Sequence, residues 1–338
     1  MSANSKIEWT DHTFNPWWGC HKKPGRPGCD HCYAEPFAKR VGHKVWGPAA
    51  PRRFFGDKHW AEPLKWNRKA EKAGKRARVF SGSMCDVFED RDILIPFRSR
   101  LFELVEATPF LDWMLLTKRA ENMALMSQVL WREGWPANAW ALCTVENQAA
   151  ADEQIPHLLR VPAPVRLLSV EPMLGPVDIY DALSGYPQLV SQRQYVSADM
   201  ATDAGDPSLD GARLSDEEWE QTSPALDGVI CGGESGHGAR PMHPDWPGDL
   251  RDQCAAAGVP FFFQRWGEWC PRSDGYAQDE NKPMVRLEID GSDGQTVVTD
   301  VLKSNQVWMG RVGKKATGRL LDGCEHNDLP GAASRGQQ

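Results

Sequence analysis

Short apolar runs recur along the chain, each followed by polar residues and then by a stretch with helical spacing. The runs are Arg78–Ser81, Trp113–Thr117, Trp140–Val145, Val165–Val170, Gly228–Cys231 and Pro260–Gln264. They are apolar almost throughout instead of alternating, which is what a strand covered on both faces requires. Between them, residues 95–108 and 245–258 place apolar side chains at helical intervals. Strand–helix alternation of this kind predicts an α/β fold with a parallel sheet and helices outside it. With one more strand near the cysteine-rich start, six or more units predict a full or partial (β/α) barrel. An open doubly wound sheet is the alternative.

Polar residues gather where the apolar runs stop: Ser83 and Asp86, Thr117 and Lys118, Glu146 and Asn147, Glu171, then Gly232, Gly233 and Glu234. In parallel α/β folds the carboxyl ends of the strands carry the site. One glutamate there is ordinary at a helix start, where the macrodipole favours it. Glu146, Glu171 and Glu234 at three equivalent places predict a shared pocket. Two stretches break the pattern: an acidic, Ser/Asp/Gly/Pro-rich insert at 184–226, and an insert at 271–312 whose Asp-Gly turns predict a β-hairpin. Both read as inserts on one domain spanning 1–338, with 331–338 as a disordered tail and no repeat of fixed period.

At 338 residues the chain can bury a large core, and 41% hydrophobic with 25% charged residues is the balance of a soluble globular protein. No apolar run reaches the roughly 20 residues of a membrane span, and the first residues lack the apolar centre of a secretion signal. Nine cysteines without a paired framework suit a reducing compartment. The expectation is a cytoplasmic protein with no membrane partner. The net charge of −7 argues against a general nucleic-acid coat, but the charge is uneven. Residues 21–80 hold 16 Lys/Arg against five Asp/Glu, while 199–220 hold eight Asp/Glu against one Arg. The basic third is either a polyanion surface or a solvated helical one.

The run WWGCHKKPGRPGCDHCYAE sharpens the chemistry. Cys20, Cys29 and Cys32 stand at C-x8-C-x2-C spacing, with a Pro/Gly-rich loop filling the first gap. The close pair can place two thiolates on one metal centre, and the loop can fold in a third. No fourth cysteine is nearby, so a [4Fe–4S] cluster held here would keep one iron open. The alternative is a zinc knuckle with His12, His21 or His31 as fourth ligand. Further along, Arg240, His243 and Asp245 share a Gly/Pro-rich loop, which reads as substrate binding with Arg240 as a phosphate or carboxylate clamp, or as a helix entry. Gln264 and Trp266 follow the last apolar run and are suited to reading and stacking on a flat base.

The strings FNPWWGC, GCDHCYAE, LLTKRAEN, SVEPMLGPVD, CGGESGHGARPMHPDW, GVPFFFQRWGEW and GRLLDG resemble a phage and prophage protein family grouped with the radical S-adenosylmethionine (radical SAM) superfamily. They are distantly similar to spore photoproduct lyase. The resemblance covers residues 7–183, 227–269 and 313–330, and the long first cysteine gap departs from the superfamily's C-x3-C-x2-C. It implies a barrel of the radical SAM type with two cofactors, a [4Fe–4S] cluster on Cys20, Cys29 and Cys32, and S-adenosylmethionine. It also implies an external flavodoxin-like or ferredoxin-like electron donor, and a host-cytoplasmic location if phage-encoded. In that frame Lys118 would pair the cofactor carboxylate. Ser83, Asp86, Glu146 and Glu171 would serve its ribose or amine, and Gly232, Gly233 and Glu234 would let the backbone approach it. Tyr33 follows the cluster motif as in the lyase, and Cys85 would stand where the lyase places a hydrogen-donating cysteine, or would merely fill a serine's place. The implied activity is hydrogen abstraction from a nucleobase-type substrate, such as isomerisation of an amino-acid-adducted thymine in phage DNA. The alternatives are a lesion-repair lyase and a non-catalytic, zinc-stabilised nucleic-acid-binding protein.

Overall fold

A computed structural model describes residues 3–184, 225–272, 284–289, 296–298 and 307–331. Seven strands form one parallel sheet: β1 (His12–Phe14), β4 (Ala77–Ser81), β5 (Leu111–Thr117), β6 (Ala139–Thr144), β7 (Arg166–Val170), β8 (Gly228–Gly232) and β9 (Phe261–Arg265). Each neighbour in space is the next of these strands in sequence. A doubly wound sheet would reverse that order at its middle. Here it never reverses, so the fold is an α/β partial barrel, with β1 and β9 at its two edges. All six apolar runs are strands, displaced by no more than two residues from their predicted starts and ends.

The strands are apolar on both sides because each side has its own core. The outer side packs Val79, Trp113, Leu115, Cys143, Leu168 and Cys231 against the helices. Among these helices, Ile95–Glu106 and Asp245–Ala256 match the predicted helical stretches. The inner side forms a second cluster of Phe80, Met114, Trp140, Leu142, Leu167, Ile230 and Phe262. Each large side chain taken from water contributes roughly 1.5–3 kcal/mol. Both ends of the described chain seal this inner cluster. Trp9 packs on Phe80 at 4.7 Å, Ile7 and Leu329 lie against the cluster, and Arg78 donates to the Pro330 carbonyl at 3.4 Å. Glu8 accepts from Gln264 and Arg265 of β9 at 2.7 and 2.8 Å, tying the amino-terminal segment to the far edge of the sheet.

Two small sheets lie outside the seven strands. β2 (Trp17–Trp18) pairs antiparallel with β3 (Arg53–Phe54), immediately before Cys20. β10 (Trp269–Arg272), β11 (Met284–Ile289), β12 (Thr296–Val298) and β13 (Val307–Arg311) make an antiparallel sheet in the order β10-β13-β11-β12. Residues 185–224 of the acidic insert, the Asp-Gly turn at 290–295 and the tail 332–338 lie outside the described residues. Among the described residues no helix is long and apolar enough to cross a membrane.

Candidate functional site

The inner face of the barrel changes character along each strand. Alternate residues point the same way in a strand, so the inner series can be followed upward. It runs Met114, Leu116, Lys118; Trp140, Leu142, Thr144, Glu146; Leu167, Ser169, Glu171; Ile230, Gly232, Glu234; and Phe262, Gln264. The apolar members form the inner cluster, and the polar members ring the mouth above it. Direct contacts bear this out. A Cβ on Gly232 would stand 3.2 Å from Gln264 Cβ and 3.3 Å from Glu171 Cδ, and Lys118 Nζ lies 3.9 Å from Glu146 Oε1.

The cysteine loop crosses this mouth and is held there by its own cations. Arg26, within the long first gap, is buried and donates through Nε and Nη2 to Glu146 Oε2 at 2.9 and 2.7 Å. It also donates to the carbonyls of Thr144 (2.6 Å) and Lys118 (3.2 Å). Gly28 sits on Glu146 so closely that a Cβ there would be 2.6 Å from Glu146 Cγ, so this position must be glycine. Lys23 pairs with Glu121 at 2.7 Å and Glu153 at 2.9 Å, and Lys22 with Glu35 at 2.9 Å. From the opposite side, Arg240 donates to the Pro27 carbonyl at 2.8 Å while gripping Glu234 at 2.6 and 2.8 Å.

Arg119 lies beneath Cys20. Its guanidinium is 3.9 Å from Cys20 Sγ, 2.7 Å from Asp86 Oδ2, and hydrogen-bonded to the His21 carbonyl. Asp86 is fully engaged, accepting also from the Thr117 hydroxyl at 2.6 Å and the Phe88 N–H at 3.0 Å. Burial, reinforced by Asp86 and opposed by Arg119, pushes the Cys20 thiol up. Burial also lifts Cys29, against the pull of the Lys118 charge and the Lys23 backbone N–H. Cys32 is within electrostatic reach of both, and all three are free thiols. Metal loading at such thiols must therefore displace protons.

The other predicted residues divide between the mouth and the outer layer. Asn15 donates to Ser83 Oγ at 2.8 Å and accepts from the Met84 N–H at 2.7 Å, with the Cys85 thiol 3.7 Å away. Cys85 itself is buried against Trp17 and Leu94, and it bridges in parallel to Gly19 beside Cys20. The ring of Tyr33 is 54% exposed, yet its hydroxyl donates to the Ser83 carbonyl at 2.9 Å, within electrostatic reach of Cys32, Glu171 and Cys85. Burial pushes the Glu171 carboxyl up to about 7, against the opposing charges of Arg265 and Lys118. Gly233 serves the sheet, since a Cβ there would overlap the Trp266 carbonyl.

His243 and Trp266 belong to the outer core. His243 precedes the helix Asp245–Ala256 and accepts from the Asp245 N–H at 3.3 Å, and burial pushes its imidazole down against the charges of Asp245 and Asp249. Trp266, the first residue after β9, packs on Phe263 at 5.1 Å and donates its indole N–H to the Leu320 carbonyl. Arg26, Asn15 and Arg119 are absent from the sequence-based set. The only sequence signals for them are a lone arginine in PGRPG and the residue after the TK pair.

A sulfur-rich donor set suits iron–sulfur or zinc. Among the described residues no three His, Cys, Asp or Glu side chains converge closely enough to hold a single ion. The three thiols are free and share a loop held by Lys22, Lys23, Arg26 and Arg240.

No curated protein matches the chain. Among solved structures, a cysteine-to-serine variant of spore photoproduct lyase is similar at 14% identity, with a TM-score of 0.40 over 88% of this chain and 71% of that one. A doubly substituted variant with bound AdoMet and dinucleoside spore photoproduct gives 12% and 0.38 over the same shares. A tyrosine-to-phenylalanine variant gives 13% and 0.36 over 84% and 67%. The assignment of the fold rests on the strand order and not on this likeness. A family model described as protein of unknown function (DUF5131) matches residues 4–330, and the chain belongs to that family.

Proposed function

We propose that the chain is a radical SAM enzyme whose cluster is held by Cys20, Cys29 and Cys32. The observation that supports it best is the position of the loop: three free thiols at C-x8-C-x2-C spacing are carried on a segment that crosses the polar mouth of a partial barrel. When bound, a [4Fe–4S] cluster of this ligation supplies an open iron and a low-potential electron for cleaving S-adenosylmethionine. The protein's own contribution is to hold and shield. Arg26 and Glu146 fix the middle of the loop, and Arg119 sets a positive charge against Cys20. Lys118, half-buried between Glu146 and Glu171, is the cation placed to meet a carboxylate. The apolar layer below keeps water from entering from underneath.

The substrate in this proposal is a nucleobase, and the reaction a rearrangement of a modified thymine in phage DNA. It is supported by the motif resemblance and by the excess of Lys/Arg over residues 21–80. Anaerobic reconstitution, reduction and addition of S-adenosylmethionine should give 5′-deoxyadenosine, with about four irons and three required cysteines per chain. A colourless protein carrying one zinc and no iron would end the proposal. Base analysis of treated DNA by mass spectrometry then tests the substrate.

A further inference from the structure

We propose that the exposed face of the helix Glu62–Ala73, continued to the rim by Lys58 and Arg53, is a docking surface for the phosphate backbone of a nucleic acid. The inference rests on the nucleic-acid part of the proposed function and gives it a place on the molecule.

The helix has two faces of opposite character. Trp66, Asn67 and Ala70 are buried, with Trp66 stacked on His12 at 4.4 Å and Asn67 accepting from the Phe110 N–H at 2.8 Å. Lys65, Arg68, Lys69 and Lys72 stand on the exposed face, together with Leu64 and one acid, Glu71, and Lys75 follows just past the end. Lys65 pairs with Glu62 at 2.6 Å. Among the described residues, Arg68, Lys69, Lys72, Lys75 and Lys58 form no ion pair with an acidic side chain, whereas the cations around the barrel mouth, Lys23, Arg26, Arg119 and Arg240, are each paired.

Composition makes the same contrast. Residues 39–76 hold 12 Lys/Arg against three Asp/Glu, whereas the remainder of the chain holds 27 against 43. Like charges three and four apart on a helix repel, so Lys65/Lys69, Arg68/Lys72 and Lys69/Lys72 weaken the helix that carries them. Solubility does not require that cost in a chain already at −7. A row of cations along an open helix matches a repeating row of phosphates better than one small anion, which would need a concave site.

The face also leads to the chemistry. At the amino-terminal end of the helix, Lys58 and His59 precede it directly, and His59 stacks on Phe55 at 4.1 Å. Arg53 lies 4.7 Å from the Trp18 ring and 5.0 Å from Phe55. Trp18 is two residues before Cys20. Cationic and aromatic residues thus lead from the amino-terminal end of the helix toward the cysteine loop.

The test is fluorescence anisotropy with labelled random-sequence DNA, single- and double-stranded, from about 50 to about 200 mM salt. The variant Arg68→Glu/Lys69→Glu/Lys72→Glu is compared with Lys314→Glu/Lys315→Glu, an exposed basic pair elsewhere. The triple variant should lose at least about tenfold in affinity, and its log–log salt slope should fall by about three, one per cation; the control should bind like the native protein. Equal binding by the two variants, or no binding by the native protein, overturns the inference. Should the triple variant misfold by circular dichroism, Lys72→Gln alone should still lower the slope by about one. Iron content and DNA-independent formation of 5′-deoxyadenosine should be the same in all three proteins. Their absence from native protein would strike the enzyme proposal and leave the binding result standing.

Discussion

The lower and upper halves of the barrel interior are built by the same strands and could hardly differ more. Below, Met114, Trp140, Leu167, Ile230 and Phe262 form a dry layer. Two to six residues farther along, the same inner face presents Lys118, Glu146, Glu171, Glu234 and Gln264. The lower layer gains from burial and has nothing left to do. The upper one carries charges that burial penalises, and it recovers them through pairs such as Arg26–Glu146, whose worth lies in position more than in stability. The contrast separates residues whose loss unfolds the protein from residues whose loss disarms it.

The largest effect should come from the loop. Replacing Cys20, Cys29 or Cys32 by alanine should abolish iron retention after reconstitution while leaving the far-ultraviolet circular dichroism intact, because none of the three belongs to the inner cluster. A change in the spectrum equal to the loss of iron would break the separation of the two halves.

Next come two substitutions of comparable cost and opposite character. Trp140→Ala, in the lower layer, should cost about 3–5 kcal/mol in denaturant unfolding. Arg26→Ala should cost about 3–5 kcal/mol because it strands the Glu146 carboxylate in a buried place. Adding Glu146→Ala should restore part of the Arg26 loss and none of the Trp140 loss. Without that rescue, the pair would not be the anchor of the loop.

A smaller effect distinguishes charge from packing under Cys20. Arg119→Gln should shift the midpoint potential of the reconstituted cluster downward, since a positive charge beside the sulfur favours the reduced form. Asp86→Asn should shift it upward by baring Arg119. Shifts of one sign in both variants would mean that the two residues only hold the loop.

The smallest effect concerns pH. The Glu171 carboxyl, ordinarily near 4.5, titrates at about 7 in the folded chain, so the folded state keeps a proton that the unfolded state has released. Its contribution to stability is whole below pH 4.5 and is lost as pH rises through 7. Between those values the thermal midpoint should decline less in Glu171→Gln than in the native protein. Parallel curves would remove Glu171 from the desolvated part of the mouth.

Sequence revealed the frame of the sheet better than the contacts that wire its carboxyl ends together. Uninterrupted apolar runs such as WMLLT are legible because a strand covered on both faces has no polar phase to hide. The cysteine spacing is legible because a loop fixes it locally. What joins Arg26 to Glu146, 120 positions away, leaves no periodic mark, and neither does the approach of Arg119 to Cys20 across 99 positions. Trp266 directly follows a strand as Glu171 does, and His243 lies on the loop after another. Only the end of strand alternation after Arg265 and the helix beginning at Asp245 carry them to the outer side.

The floor of the barrel is furnished from positions 7–9 and 329–330, the two extremities of the folded body. On a ribosome, the thiols at 20–32 emerge some three hundred residues before the last piece of that floor. While the residues between them are being made, the three thiols therefore stand above an unsealed, wettable interior. A loop made early thus waits on residues made much later for a dry floor beneath it.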